Sequence, residues 1–118
     1  MTTKACLVKV VTAVEDHPNP LASDTNVIRT VDAQLVSSKV DGQPRYRVGD
    51  LVVHIPGGSI VTRELQARLH SKDLLIRSSN YKGYLSEGML LPAAEVTGAL
   101  REGDDVTQEL GVTFKATG

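Results

Sequence analysis

The sequence predicts an all-β fold: a small barrel of five or six short strands, with one short helix between strands and a short C-terminal helical turn. Three observations lead to this prediction. Short apolar segments recur between turn signals rich in Pro, Gly and Asp. Helical signals are confined to brief stretches, and 118 residues are enough to bury one modest core. We therefore expect residues 1–118 to form a single domain.

The first third of the chain carries three strand signals. Lys4 to Val14 is rich in Val and Ala with partial alternation, and the Pro-Asn-Pro run at 18–20 ends it because proline removes ladder donors. Asn26 to Val31 and Ala33 to Val40 predict two further short strands. The Asp-Gly pair at 41–42 is typical of a tight hairpin turn.

The clearest buried strand is Leu51 to Ile55, a mainly apolar and β-branched run. Arg45 to Val48 leads into the Gly-Asp turn that precedes it. Thr62 is a suitable N-cap for a short helix over Thr62 to Leu69, in which two leucines four residues apart share a face.

The last third is expected to alternate extended segments with helical turns. Leu74 to Ser78 resumes extended structure, and Leu85 to Leu91 is predicted to be a strand bent at Gly88. Ala93 to Leu100 is expected to hold one helical turn, and the acidic segment Gly103 to Gly111 another, ended by its last glycine. A five-stranded barrel with a helix between its third and fourth strands is an OB-fold; periodicity alone fits an SH3-like barrel or a small sandwich equally well.

Cysteine usage and hydropathy indicate the compartment. The single cysteine, Cys6, lies in an apolar run, so the chain has no internal disulfide and suits a reducing environment. No apolar run approaches the roughly 20 residues needed to cross a bilayer, and the N-terminus lacks the apolar stretch of a signal peptide. We therefore expect a cytoplasmic protein without a membrane partner.

The formal charge of −1 is unevenly distributed along the chain. Residues 39–82 carry eight Lys and Arg against four Asp and Glu, whereas residues 83–118 carry two against six. The resulting balances of +4 and −4 form a charge dipole that can direct an anionic partner to one face. The near-neutral total argues against tight, non-specific binding to duplex DNA.

One short motif suggests covalent chemistry. Residues 39–42, Lys-Val-Asp-Gly, match K-x-D-G, the pattern in which a lysine amine of covalent nucleotidyltransferases attacks a nucleotide α-phosphate. The motif lies in a predicted hairpin, so we interpret it as a turn and reject Lys39 as a nucleophile. The three histidines lack metal-ligand spacing, and no serine lies in a nucleophile elbow. The sequence therefore predicts no catalytic residue, no metal site and no cofactor.

Basic residues are interspersed with tyrosines in the middle of the chain, a composition that suits phosphate pairing and base stacking. Gly83 and Gly88 follow, and glycine allows a ligand or a second chain to approach closely. The basic side chains are expected to contact phosphates, with the tyrosines stacking or packing near them. Ten residues make up this expected nucleic-acid-binding surface: Arg45, Arg47, Lys72, Arg77, Tyr81, Lys82, Gly83, Tyr84, Ser86 and Gly88.

Five segments occur in a fixed order: His17-Pro18-Asn19, Val48 to Pro56, Gly58 to Val61, Tyr81 to Pro92, and Glu102 to Val112. Together they resemble the N-terminal OB module of the Deinococcus-type ATP-dependent RNA ligases. The resemblance implies an OB-fold over residues 1–118 that binds RNA or a nicked duplex containing RNA. It also implies that the catalytic domain, which carries the acceptor lysine in that family, would begin just after residues 112–115.

The His-Pro-Asn loop and Lys82 to Leu91 are also similar to OB-type tRNA-binding domains. Glu87 stands where both families usually have Gln, and a carboxylate beside a phosphate would repel it. Two other functions therefore stay open: a tRNA-binding module, and a structural or self-associating OB protein. The corresponding partners are a ligase catalytic domain or a second copy of the chain.

Overall fold

The computed structural model describes residues 5–96 and 99–114, and these ranges contain ten short strands and two short helices. The strands are β1 (Leu7–Val10), β2 (Ala13–Asp16), β3 (Thr25–Arg29), β4 (Gln34–Ser38), β5 (Leu51–Ile55), β6 (Ser59–Ile60), β7 (Ser79–Tyr81), β8 (Tyr84–Ser86), β9 (Met89–Pro92) and β10 (Thr113–Phe114), and the helices are α1 (Arg63–Leu69) and α2 (Thr107–Leu110).

The predicted first strand is divided in two. β1 and β2 are separated by Val11 and Thr12, and Lys4 lies outside the described residues. The Val11 amide donates to the Asp50 carbonyl at 3.0 Å, whereas the Thr12 amide donates to the Arg29 carbonyl at 2.8 Å. The chain therefore leaves one sheet and enters another between these two residues.

Two three-stranded antiparallel sheets form the centre of the fold. One has the order β1-β5-β9 and the other the order β2-β3-β4. The central strand of the first is the predicted buried strand Leu51–Ile55, and all its residues after Leu51 are buried. Two smaller antiparallel pairs, β6 with β10 and β7 with β8, complete the pairing of the described strands.

Two apolar clusters pack on opposite faces of β5, as the alternation of side chains along a strand requires. The larger cluster joins Val53 of β5 to Leu65 and Leu69 of α1. The smaller joins Val52 to Ile28 of β3 and contains no residue of either helix. β5 thus connects the helical side of the molecule to the second sheet.

The two sheets stop short of a closed barrel in the described part of the chain. β4 and β9 share no ladder, and residues 85–87 link them instead. The Gln34 carbonyl accepts the Glu87 amide at 2.9 Å, and the Val36 amide donates to the Ser86 hydroxyl at 3.1 Å. The all-β prediction is confirmed, but the barrel is open along this edge, where single backbone and side-chain hydrogen bonds stand in place of a continuous ladder.

The helix signals are confirmed as helical turns, and α1 also matches its predicted extent. The Thr62 hydroxyl accepts the Leu65 amide at 3.1 Å and caps α1, which follows β6 and so does not lie between the third and fourth strands. α2 is shorter than the predicted segment and stops, as expected, at Gly111, whose φ is 67°. Ala93–Glu95 forms a 3-10 turn, and residues 97–98 lie outside the described ranges. Neither described helix has the length and apolar character that a bilayer crossing requires.

Two predicted extended segments differ from the structure. Leu74 to Ser78 forms no strand, and only an isolated bridge joins Leu75 to Ile60. Leu85 to Leu91 is broken at Glu87 and Gly88, which separate β8 from β9. The first segment still bonds the β6 region, since the Val61 amide donates to the Leu74 carbonyl at 2.9 Å and the Ile76 amide to the Ser59 carbonyl at 2.8 Å.

Candidate nucleic-acid interface

A cleft of about 580 Å³ lies along the open edge between the two sheets. It is bounded by β4, by the β8–β9 connection and by the segment from Leu69, the last residue of α1, to Arg77. Six of the ten predicted site residues line it: Arg45, Lys72, Arg77, Tyr81, Ser86 and Gly88. The other four, Arg47, Lys82, Gly83 and Tyr84, do not line it. The structure therefore brings together residues from three separate parts of the predicted surface.

Three basic side chains give the cleft its positive character. Arg45, Lys72 and Arg77 are exposed, and none is ion-paired with a carboxylate within the described residues. Two carboxylates, Asp24 and Asp73, also line the cleft, so three cations against two anions leave a net charge of +1. Four other basic residues do have a carboxylate partner, at 2.9–3.4 Å: Lys9, Arg29, Lys39 and Arg68. The unpaired cations of the cleft are thus available to an external anion.

The β7–β8 hairpin carries three of the four predicted residues outside the cleft. Its turn is formed by Lys82 and Gly83, with φ values of 53° and 94°, as a tight hairpin with two central residues requires. The Asn80 side chain accepts the Gly83 amide at 3.0 Å. The Lys82 ammonium lies 6.0 Å from the centroid of the Tyr81 ring, at the outer limit of a cation–π contact.

The two tyrosines of this hairpin pack against His17, a contact that the sequence analysis missed. The His17 ring centroid lies 4.9 Å from that of Tyr84 and 6.0 Å from that of Tyr81. Its Nδ1 accepts the Asn19 amide at 3.1 Å, so its Nε2 carries the hydrogen donated to the Tyr81 carbonyl at 3.0 Å. The His-Pro-Asn loop therefore holds the hairpin in place, and both tyrosines are half-buried.

Ser86 and Gly88 form a wall of the cleft and are both buried. The Ser86 hydroxyl is engaged by the Val36 amide. Gly88 has a φ of 89°, and a Cβ at this position would overlap the Ile55 carbonyl oxygen. Glycine is needed here because β9 approaches the β5 backbone closely. These two residues shape the cleft through packing.

Tyr46, between two predicted site arginines, is part of the core. It is buried beside Val52, and its hydroxyl donates to the Leu90 carbonyl at 3.3 Å. Burial raises the pKa of Tyr46, so its phenol stays protonated at neutral pH. Arg45 and Arg47, on either side of this buried ring, are exposed.

A chain of polar contacts outside the lining of the cleft connects both sheets. The Lys9 ammonium lies 2.9 Å from the Asp32 carboxylate and donates to Nδ1 of His54 at 2.9 Å. Nε2 of His54 then donates to the Glu87 carbonyl. Burial lowers the pKa of His54, and the neighbouring Lys9 charge acts in the same direction. His54 is therefore neutral at pH 7 and fixes the position of Glu87.

Lys39 and Cys6, the two residues whose type could act as a nucleophile, both lie outside the lining of the cleft. The K-x-D-G motif forms the predicted turn, in which Asp41 and Gly42 have φ values of 52° and 75°, and Lys39 pairs with Asp16 at 3.2 Å. Burial raises the pKa of the Cys6 thiol to about 11. No group of three or more His, Cys, Asp or Glu that could hold a metal is found in residues 5–96 and 99–114.

The acidic segment 101–109 lies on the other edge of the first sheet. The Val8 amide donates to the Asp104 carbonyl at 2.8 Å, and the Val106 amide to the Cys6 carbonyl at 2.9 Å. β1 separates this segment from β5, whereas the cleft lies beyond β9. The cations of the cleft and the carboxylates of segment 101–109 therefore lie at opposite edges of one sheet.

Comparison with known proteins relates the fold to part of an RNA ligase. No protein-family model and no curated protein matches the sequence. Solved structures of a Naegleria gruberi RNA ligase are similar to it: one with pyrophosphate (TM-score 0.79, 19% identity, 99% of this chain) and one of a variant with ATP and Mn (TM-score 0.79, 19% identity, 98% of this chain). An apo variant gives a TM-score of 0.77 at 18% identity. The chain spans 36% of the length of these ligase chains and shares the fold of that part.

Proposed function

We propose that this chain is a nucleic-acid-binding module of the OB type that engages RNA or a nicked duplex containing RNA. It has no catalytic residue of its own and would act in the cytoplasm, with a ligase catalytic domain as its partner. Arg45, Lys72 and Arg77 contact the phosphates in this proposal. Lys82 and the hairpin tyrosines extend the surface at one end of the cleft.

The observation that carries the proposal is the grouping of three exposed cations, free of carboxylate partners in the described ranges, around one cleft. Phosphate pairing with Lys and Arg supplies most of the sequence-independent affinity for nucleic acid. The position of the acidic segment on the far edge supports the same orientation, since it keeps like charges away from the phosphates. The fold shared with part of an RNA ligase adds support at the level of architecture.

The test is RNA binding by fluorescence anisotropy at low salt. We expect a single-stranded RNA to bind, and the combined Arg45→Ala, Lys72→Ala and Arg77→Ala variant to bind about tenfold more weakly or worse. The control removes the same number of exposed cations outside the proposed surface: Arg47→Ala, Arg63→Ala and Arg101→Ala. Equal losses in the two variants, or no binding by the wild type, would reject the cleft as the RNA site.

A second function, self-association through complementary charges, is favoured by one observation. The acidic segment 101–109 and the basic cleft lie on opposite edges of the first sheet, so two copies could pair head to tail. Light scattering at low and high salt separates the two functions, because self-association needs no nucleic acid.

A tRNA would be the partner if a folded tRNA outcompeted an unstructured RNA of equal length.

A further inference from the structure

We propose that the cleft holds one unpaired nucleotide, so that the site takes single-stranded ends or loops of RNA and not the body of a duplex. This rests on the proposed function, because it assigns a substrate class to the same site. Three observations support the proposal: the size of the cleft, the exposed strand edge in its wall and the arrangement of its side chains.

The size of the cleft suits a small group. Its volume of about 580 Å³ falls in the range of about 300–1,000 Å³ that is usual for pockets binding small molecules. The bases of an RNA duplex are paired and stacked, and only its phosphates and groove edges are presented to a surface. An unpaired base, by contrast, can leave the stack and enter a pocket of this size.

The edge of β4 offers unused backbone groups to such a base. Hydrogen-bonded and non-hydrogen-bonded pairs alternate along an antiparallel ladder. The Lys39 amide donates to the Asp24 carbonyl at 2.7 Å, which places that pair in the hydrogen-bonded set. The next pair along the ladder, Ser38 with Thr25, is therefore a non-hydrogen-bonded pair. The amide and carbonyl of Ser38 therefore turn away from β3, toward the cleft that this residue lines.

Val36 repeats this arrangement two residues earlier in β4. Its amide is held by the Ser86 hydroxyl, while its carbonyl turns toward the same side as the backbone of Ser38. One donor and two acceptors thus lie along a rigid strand at the wall of the cleft. Donors and acceptors in a row are what the hydrogen-bonding edge of an unpaired base requires.

Apolar and cationic groups are separated in the way that a nucleotide requires. Leu75, Met89 and Leu90 line the cleft and are half-buried, so they can pack against the face of a base. Arg45 and Arg77 are exposed and can reach the adjoining phosphate. A site for phosphate alone would have no use for the apolar wall.

The first experiment compares two labelled RNA hairpins that differ only in a short single-stranded 3′ overhang, and whose paired strands are joined by a non-nucleotide linker so that neither presents an unpaired loop. We expect the hairpin with the overhang to bind about tenfold more tightly, the effect of placing one base on a protein surface. Equal binding of the two hairpins would overturn the nucleotide proposal and leave the proposed function intact. Failure to bind either hairpin or a single strand would reject the proposed function itself.

Two further measurements locate the preference in the cleft. Ser79→Trp places a bulky ring on a residue that lines the cleft, and Leu85→Trp places the same ring on an exposed position of β8 outside it. We expect only the first to abolish the preference for the overhang, in a protein whose unfolding midpoint shows that it is folded. In wild-type protein, adenosine monophosphate should displace the overhang hairpin at concentrations at which inorganic phosphate does not. Equal competition by the two, or a preference that survives in folded Ser79→Trp, would contradict the proposal.

Discussion

Glu87 and Gln34 exchange two hydrogen bonds across the open edge between the sheets. The Glu87 amide donates to the Gln34 carbonyl at 2.9 Å, and the Gln34 amide donates to the Glu87 carboxylate at 2.7 Å. The carboxylate that the sequence analysis expected to repel phosphate is therefore engaged by a backbone amide, and it lies outside the lining of the cleft. One acidic side chain here replaces a rung of a β-ladder.

Removal of this carboxylate should destabilise the fold. We expect Glu87→Ala to lower the free energy of unfolding by about 1–3 kcal/mol, because the Gln34 amide loses a charged acceptor. Glu87→Gln keeps a neutral acceptor and should cost about 1 kcal/mol or less. Urea unfolding of the three proteins measures both differences. A loss in Glu87→Gln as large as in Glu87→Ala would mean that the hydrogen bond is not what the carboxylate contributes.

Two glycines with similar backbone angles should respond differently to alanine. Gly88 has a φ of 89° and no room for a Cβ beside the Ile55 carbonyl, whereas Gly83 has a φ of 94° and open space around it. Gly88→Ala should therefore lower the free energy of unfolding by about 2–4 kcal/mol, through steric overlap as well as strain. Gly83→Ala should cost about 1–2 kcal/mol from strain alone. Thermal or urea unfolding shows which variant loses more stability. Equal losses in the two variants would show that the backbone at Gly88 does not lie against the Ile55 carbonyl.

Protonation of His54 should make stability depend on pH. Burial, reinforced by Lys9, holds the pKa of His54 below its ordinary value of 6.5. The unfolded chain therefore binds this proton more readily, so stability should be constant above about pH 6.5 and fall between that pH and the lower pKa of the folded state. Asp32, whose pKa is lowered by the Lys9 hydrogen bond, loses its contribution only below 3.8, outside this window.

Urea unfolding at a series of pH values from about 8 to 5 measures this dependence. His54→Gln, which does not titrate, serves as the control and should flatten the curve within the window. A wild-type curve without a decline would contradict the neutral, buried His54. So would a decline that is unchanged in the variant.

Cys6 should be unreactive in the folded protein. Its burial, together with the charge of Asp105, raises the pKa of the thiol to about 11, so the reactive thiolate is scarce at neutral pH. Ellman's reagent should label it at a negligible rate under native conditions and completely in denaturant. Rapid labelling of the native protein would place Cys6 at an accessible surface, against the structure.

Local signals in the sequence were sufficient for the elements whose stability is local. The apolar run of β5, the Thr62 cap and the Gly111 stop each depend on residues close in sequence, and all three are found as predicted. The division of the first strand at Val11 and Thr12 depends on which distant strand each residue bonds. Partial alternation carries no information about that choice.

The candidate site was predictable in composition but not in arrangement. Arg45 and Arg77 share the cleft because β4, α1 and the chain after α1 meet there, a tertiary relationship without a sequence signal. Tyr46 resembled a surface aromatic because its neighbours are basic, yet Leu90 and the core hold it inside. The contact of Tyr84 with His17 also has no local signal, because 67 positions separate the two residues in the sequence.

The salt dependence of RNA affinity tests the central claim most directly. Each phosphate contact to a single strand adds about 0.7 to the slope of log affinity against log salt, so replacing Arg45, Lys72 and Arg77 by alanine should reduce the slope by about 2. The control variant with Arg47, Arg63 and Arg101 replaced should keep the wild-type slope. If the cleft variant keeps the wild-type slope, or if both variants lose it equally, the three cations of the cleft are not the phosphate contacts.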